Sequence, residues 1–287
     1  MRTRIEKENA PKLQALWEQV FGDKAEAVAL FLDGCKALAD VYVYEQGGEI
    51  RSALYVLPAS MVLGKTRARA GYIYAAATLP QARGQGIMSR LLKEAADGAA
   101  KDGISFLTLR PANPPLFDYY AKHGYDTIYK AASRVFSKEG LEAISVPGGK
   151  TAKATPAFVS GALKDAFADR PGSLLWEADM LSYQLAIHAY YGGKAVAADT
   201  PAGKTAALYF EEEERVACLD PIANSESFPY LCEALRRETA GKPIRMRLPA
   251  GLLSGETQTD LEPVGMACPI TGSLSQMKGA FLSLTME

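Results

Sequence analysis

Histidine is nearly absent from the 287-residue sequence, with only His123 and His188, and the four cysteines Cys35, Cys218, Cys232 and Cys268 stand far apart. They form no CxxC pair and no spacing of the kind that holds zinc, so no metal is expected. Charge of one sign is also lacking. The 32 Lys+Arg against 33 Asp+Glu leave a net −1, which gives no broad pull toward nucleic acid or an anionic membrane. No apolar run reaches the ~18 residues of a membrane span. The opening MRTRIEKENAPK has no apolar stretch like that of a signal peptide. The expectation is therefore a cytoplasmic chain with reduced thiols. The composition that remains is ordinary for a globular protein, 48% hydrophobic and 23% charged. The length suits two domains.

The organising stretch is Tyr72 to Gly86, YIYAAATLPQARGQG. A strand-like run, Tyr72–Thr78, meets Pro80 and then a glycine turn. Beyond it Met88, Leu91, Leu92, Ala95, Ala96 and Ala99 recur at helical spacing and form one apolar face. Glycine permits positive φ and close approach of a ligand. The first turn of a helix offers unpaired N–H groups and partial positive charge, which suits phosphate. No Gly-Lys-Ser/Thr follows, as a P-loop would require, and the glycine spacing is not that of a dinucleotide-binding turn. Gln81-Ala82-Arg83-Gly84-Gln85-Gly86 resembles motif A of the GCN5-related N-acetyltransferases, Gln/Arg-x-x-Gly-x-Gly/Ala. The resemblance implies that Arg83, Gly84, Gln85, Gly86, Ile87 and Met88 hold the pyrophosphate of acetyl-CoA. The ordinary alternative is a strand-to-helix turn without a ligand.

The rest of the first ~137 residues reads in the same family order. Leu13, Leu16, Trp17, Val20 and Phe21 predict a helix ending at Gly22, and Asp23 with Glu26 predicts a capped second helix. Val41–Glu45 and Glu49–Leu57 read as a hairpin across Gln46-Gly47-Gly48, with a further turn near Leu63-Gly64-Lys65. Ile104–Leu109 reads as a buried strand. Asn113-Pro114-Pro115 opens a helix that stops at Gly124. Tyr125–Tyr129 and Ser133–Phe136 are expected as two closing strands. A second motif agrees. Asn113 stands seven residues before Tyr120, and Gly124-Tyr125 follows. In the family this Asn lies near the pantetheine arm and this Tyr faces the thioester sulfur.

Residues 138–150 are polar with glycine and proline and read as a linker. Beyond them the pattern partly repeats. Helical stretches at about Thr155–Ala168 and Ser173–Ala189 precede strand runs Lys194–Asp199, Thr205–Glu211 and Val216–Leu219, then a helix and the strand Ile244–Leu248. The turn after Val216–Leu219 has no glycine, and Asp220 stands where a phosphate would lie. The fold class expected is α/β (α+β): two tandem acyl-CoA N-acyltransferase-like domains, each a mixed sheet flanked by helices, with the second copy degenerate. The boundaries are 1–137 for the catalytic domain, 138–150 for the linker and 151–287 for the degenerate copy. This arrangement resembles the enhanced-intracellular-survival acetyltransferases without their third domain.

Acyl transfer needs a deprotonated amine, a stabilised oxyanion and a protonated leaving thiolate. Backbone N–H groups at Ala77, Thr78 and Leu79 are candidates for the cofactor's acyl end, and small Ala75-Ala76-Ala77 leaves room for it. Tyr120 is the candidate general acid, with Tyr119 expected to face elsewhere; His123, one turn beyond Tyr120, is a candidate base whose ordinary role at a helix end is to cap carbonyls. Tyr72–Thr78 carries no acid, and the Glu211–Glu214 run reads as solvated surface. The resemblance suggests the α-carboxylate of Glu287 as base. The function expected is an acetyl-CoA-dependent N-acetyltransferase acting on a primary amine of a small molecule or peptide. No metal, nucleic-acid partner or membrane partner is expected, and a homo-oligomer is compatible with the sequence. The alternative is a CoA- or ligand-sensing module that has lost its chemistry.

Overall fold

The computed structural model describes residues 1–253, 261–277 and 279–284. The first half begins with β1 (Arg2–Thr3), α1 (Ala10–Phe21), α2 (Ala25–Cys35), β2 (Asp40–Gln46), β3 (Glu49–Leu63) and β4 (Thr66–Thr78). It continues through α3 (Ile87–Lys101), β5 (Phe106–Leu109), α4 (Pro114–Ala121) and β6 (Asp126–Phe136). The second half holds α5 (Lys138–Ile144), β7 (Lys150–Thr151), α6 (Pro156–Phe167), β8 (Leu174–Leu175) and α7 (Ala178–Tyr190). It ends with β9 (Lys194–Thr200), β10 (Gly203–Glu211), β11 (Val216–Ile222), α8 (Phe228–Glu238), β12 (Ile244–Pro249) and β13 (Glu262–Pro269). Among the described residues no helix is long and apolar enough to cross a membrane.

All the strands join one mixed sheet in the order β1-β2-β3-β4-β5-β13-β6-β12-β11-β10-β9-β7, with β8 paired to β3. The repeat is visible in this order. In the first half antiparallel β2, β3 and β4 are followed by α3 and by β5 parallel to β4. In the second half antiparallel β9, β10 and β11 are followed by α8 and by β12 parallel to β11. Each copy is closed by a strand from the other part of the chain. β13, late in sequence, lies between β5 and β6, and β6 pairs along β12. The two closing strands expected at Tyr125–Tyr129 and Ser133–Phe136 are one strand, because Lys130-Ala131-Ala132 contains no residue that breaks a ladder. Its first part pairs with β13 and its second part with β12.

Helix α3 buries the face its periodicity defines, including Leu91, Leu92, Ala95 and Ala99. Gly98 belongs to that face. A Cβ there would lie 2.0 Å from the Tyr42 hydroxyl, so the missing side chain lets the helix rest directly on β2. On the opposite face Trp17, Phe31, Tyr55 and Tyr74 form an aromatic cluster with ring centroids 4.9–5.6 Å apart. Tyr183 of α7 joins it against Phe31 at 5.4 Å. The first half therefore shares its core with helices of the second. Residues 138–144, expected as part of a linker, form α5, capped by Ser137 Oγ on Gly140 N at 3.1 Å and packed through Leu141 into the core around α8. The described end of the chain, Ala280 to Leu284, is buried but is not a strand. Side chains hold it instead: Ser173 Oγ accepts from Phe281 N at 3.1 Å, and Trp176 Nε1 donates to Ser283 O at 2.9 Å.

Candidate active site

β4 delivers the chain to Thr78, and a single 3-10 turn at Pro80–Ala82 leads into Arg83-Gly84-Gln85-Gly86. Gly84 and Gly86 have φ of +75° and +72°, and a Cβ on either would meet nothing within 4 Å. Both glycines are therefore required by backbone conformation, and the space above them is open. Arg83 Nε donates to Thr78 O at 3.1 Å and Gln85 Nε2 to Gln81 O at 3.2 Å, which brace the turn from its two ends. Gly86 is the N-cap of α3 and no side chain caps that helix. Its first-turn donors thus stand at a hollow of about 390 Å³ lined by Thr78, Arg83, Gly84, Gly86, Ile87 and Met88. Backbone donors, a helix N-terminus and an adjacent guanidinium fit a phosphate group.

The matching position in the second half is closed. Asn224 Oδ1 accepts from Glu226 N at 3.0 Å and Ser227 N at 2.8 Å, and Ser227 Oγ accepts from Asn224 N at 3.0 Å. The entry to α8 is thus occupied by its own side chains. Asp220 does not stand in a turn, as the sequence suggested. β11 continues through Asp220 and Pro221, and Asp220 is buried against Arg247, with Nε to Oδ1 at 3.2 Å.

A second hollow, about 420 Å³, lies on the other side of Tyr120 and shares Ala76, Leu116 and Tyr120 with the first. It is shaped by an irregularity in β4. Tyr55 pairs with Tyr74 and Ala53 with Ala77, so Ala75 and Ala76 face Leu54 alone. Ala75 has φ +45°, a left-handed conformation that costs an L-residue roughly 1–2 kcal/mol. Such bulges interrupt ladder hydrogen bonding and re-aim neighbouring groups. Leu79, named with Ala77 and Thr78 at the cofactor's acyl end, already donates its N–H to Arg51 O at 2.9 Å. Ala77 is buried in the ladder, with its carbonyl accepting from Ser52 Oγ at 2.8 Å. The break in the ladder lies at Ala75 and Ala76 instead.

Tyr120 is buried at the junction of the two hollows. Burial, and then the neighbouring Tyr119, push its phenol up to about 12. Asn113 is the exposed N-cap of α4 and makes no side-chain cap bond. Tyr119 does not face away: it lines the first hollow together with Tyr120. Its hydroxyl is 3.3 Å from Ser89 Oγ, and Ser89 Oγ is 3.1 Å from His123 Nε2. His123 therefore bonds a side chain across the groove and does not cap the helix.

Sequence reading missed Asp23. The sequence predicts a helix cap there, yet the N-cap of α2 is Lys24, and Asp23 accepts from Trp17 Nε1 at 2.7 Å. The Asp23 carboxylate lines the second hollow. So does Arg110, just past β5, whose pKa burial and nearby Arg247 lower to about 10. Only packing reveals these two, since neither belongs to a motif. Glu287 lies outside the described residues. The last described residue, Leu284, is fixed by Asp220 Oδ2 on its N–H at 2.7 Å and Gln184 Nε2 on its carbonyl at 3.1 Å. Among the described residues no cluster of metal-ligating side chains occurs.

No curated protein matches the sequence. The fold has many solved counterparts. A conserved protein of Enterococcus faecalis V583, described as a probable N-acyltransferase, aligns at TM-score 0.75 and 17% identity over 94% of this chain and 72% of that one. A GCN5-related N-acetyltransferase from Kribbella flavida aligns at TM-score 0.72 and 16% identity, also over 94% and 72%. Eis1 from Mycobacterium abscessus aligns at TM-score 0.71 and 14% identity, over 94% and 74%. These likenesses establish the fold. Residues 3–128, which contain the glycine turn, the bulged strand and Tyr120, match the family model of the acetyltransferase (GNAT) domain.

Proposed function

We propose that the protein is an acetyl-CoA-dependent N-acetyltransferase that acts on a primary amine. The observation that carries this reading is the pair of hollows meeting at Tyr120, one beside the glycine turn and one beside Asp23. The cosubstrate supplies the activated acyl thioester. Arg83, Gly84, Gln85, Gly86, Ile87 and Met88 bind its pyrophosphate, Asn113 lies along its pantetheine arm, and the Ala77–Leu79 strand end flanks its acyl end. The acceptor amine enters the second hollow. Its nitrogen gives up a proton to the base and forms the bond to the acyl carbon, while the carbon–sulfur bond breaks and the leaving thiolate takes a proton. Tyr120, kept neutral by burial, holds the proton for sulfur. Asp23 attracts the ammonium form and orients it, with its carboxylate steadied by the Trp17 indole. The α-carboxylate of Glu287 remains the proposed base; Leu284, three residues before it, lines the chamber next to the acceptor hollow.

The proposed domains are 1–137 and 151–287, joined through 138–150. Only the first is proposed to bind cofactor, since the entry to α8 is occupied by Asn224 and Ser227. Calorimetry with CoA, together with thiol release from acetyl-CoA in the presence of amines, tests the reading. Tight CoA binding without any thiol release would favour a sensor, and absence of CoA binding would overturn the cofactor site.

A further inference from the structure

β2 starts at Asp40, opposite Val56, while β3 runs on past it to Leu63. β8 pairs with β3 at Ser60 and Met61. Between these two neighbours, at Leu57 to Ala59, that edge of β3 has no strand beside it among the described residues. Pro58, which has no N–H to offer a ladder, stands there exposed. A hollow of about 360 Å³ opens at this gap. Arg2, Arg4 and Asp40 line it from one side, and Arg69 of β4 and Asp102 from the other. Leu38, Pro58 and Ile104 give it an apolar wall. Asp102 is the C-cap of α3 and Gly86 its N-cap, so the hollow and the glycine turn lie at opposite ends of a 15-residue helix.

The charges in the hollow do not balance. Arg2 Nη2 donates to Asp40 Oδ2 at 2.6 Å and also pairs with Asp102. Arg4 Nη2 is 3.1 Å from Asp40 Oδ1, and Arg4 Nη1 donates to Ala39 O at 3.1 Å. Arg69 Nη1 donates to the backbone carbonyl of Asp102. Both carboxylates are thus taken by Arg2 and Arg4, and Arg69 has no carboxylate partner among the described residues. A guanidinium carries five N–H donors in a fixed fork, and a single carbonyl leaves most of those on Arg69 unused. Arg67, exposed on the same face of β4, and exposed Lys101 add to the positive excess. Exposed ion pairs stabilise little, so fastening β1 does not account for a third arginine here.

A guanidinium fork suits carboxylate and phosphate alike. Two features favour the carboxylate. The lining arginines exceed the lining aspartates by one charge, and Asp40 and Asp102 would repel the further charge that a phosphate carries at neutral pH. Bare phosphate would also leave Leu38, Pro58 and Ile104 against water, whereas an alkyl chain would cover them. A cavity of roughly 150 Å³ holds benzene, so this hollow has room for a chain of that many carbons.

We propose that the hollow binds the anion of a small aliphatic carboxylic acid. Its carboxylate lies against Arg69 and Arg4, and its chain runs along Leu38, Pro58 and Ile104. The site is separate from the acyl-transfer centre and does not rest on that reading.

The test is calorimetry on the full chain at low ionic strength with hexanoate, hexanamide and inorganic phosphate. Hexanoate should bind with a Kd of about 0.1–1 mM. Hexanamide, which lacks the charge, and phosphate, which lacks the chain, should each bind about tenfold more weakly or worse. Arg69→Gln removes the guanidinium that no carboxylate claims and should weaken hexanoate binding by about tenfold or more, with the circular dichroism unaltered. Leu38→Glu keeps all three arginines and sets a negative charge at the apolar wall. It should abolish hexanoate binding, and it decides the matter if Arg69→Gln does not fold. Hexanamide binding as tight as hexanoate would show that the arginines do not read charge and would overturn the proposal. Tighter binding of phosphate would overturn the carboxylate. Absence of hexanoate binding would leave the arginines as ties for β1 alone, and affinity that survives in both variants would place the acid elsewhere; either result sinks the site.

Discussion

The carboxylate of Asp220 accepts the backbone N–H of Leu284 at 2.7 Å, in a site where Asp220 is 4% exposed. The same carboxylate pairs with Arg247 of β12. One buried acid thus ties the end of the chain to two neighbouring strands of the second half, and Leu284 is placed at the chamber behind Tyr74. This bond brings the second half to a chamber that shares Trp17, Asp23 and Tyr74 with the hollow beside Tyr120.

Asp220→Ala removes the buried acid that pairs with Arg247 and that accepts the Leu284 N–H. Removing one member of a buried ion pair costs roughly 3–5 kcal/mol. Urea denaturation should show a loss of that order. Asp220→Asn keeps an oxygen for Leu284 and should lose less. A loss below about 1 kcal/mol for the alanine variant would mean that the pair is not a stabilising tie.

Gly86→Asp adds a side chain at φ +72° and places negative charge at the N-terminus of α3. CoA binding measured by calorimetry should be abolished while circular dichroism shows a folded chain. Asn224→Ala in the second half removes the carboxamide that accepts from Glu226 N and Ser227 N ahead of α8, at a cost of about 1 kcal/mol in stability, and should leave CoA affinity unaltered. Unchanged affinity in a folded Gly86→Asp protein would place the cofactor elsewhere.

Tyr120→Phe keeps the ring and removes the hydroxyl at the junction of the two hollows. Loss of a general acid predicts a fall in kcat of roughly 100-fold, with CoA affinity nearly constant. Tyr119→Phe is not a silent control, because the Tyr119 hydroxyl reaches Ser89 at the cofactor groove. It should raise KM for acetyl-CoA a few-fold with kcat held, the signature of uniform binding. Equal kcat losses in the two variants would remove the acid assignment.

Asp23→Asn retains an oxygen for the Trp17 indole and removes the charge. If Asp23 draws in the ammonium, kcat/KM for the amine should fall by roughly 100-fold or more, while CoA affinity holds. A change confined to thermal stability would make Asp23 a structural partner of Trp17 only.

Stability should fall in alkali. Burial raises the Tyr120 phenol from 10.0 to about 12 and the Tyr209 phenol likewise to about 12. In the unfolded chain these groups ionise near 10, so the protonated folded form is favoured fully below that pH. The advantage is lost as pH rises through the folded values. Urea midpoints measured from pH 9 to 12 should be level at first and then decline. A flat profile to pH 12 would show that the phenols are not desolvated.

Much of the glycine turn and the hollow beside it was legible in the sequence because it is local. Two glycines at fixed spacing, a proline before them and an apolar helical face after them determine the turn from Thr78 to Met88 within fifteen residues. The Asn113–Tyr120 spacing is equally local, since one helix separates the two residues. The repeat of three strands, helix and strand was readable for the same reason. The reading failed where neighbours in space are distant in sequence. Tyr119 was expected to face away because adjacent helix residues diverge, yet Ser89 on α3 lies within reach of its hydroxyl.

By itself the sequence determined the strand–turn–helix order around Gly84 and Gly86, the glycine turn and the candidate acid, each a matter of backbone conformation or periodicity inside one segment. Tertiary structure decided the acceptor side. Asp23 read as a cap until the fold set it against the Trp17 indole and the hollow beyond. β13 had no signal for its place between β5 and β6, because strand pairing depends on which edge is left open and not on the strand's own residues. The chamber behind Tyr74 arises only where α7 and β10 of one copy meet α1 and β4 of the other. No pattern within either copy encodes a surface that both must build.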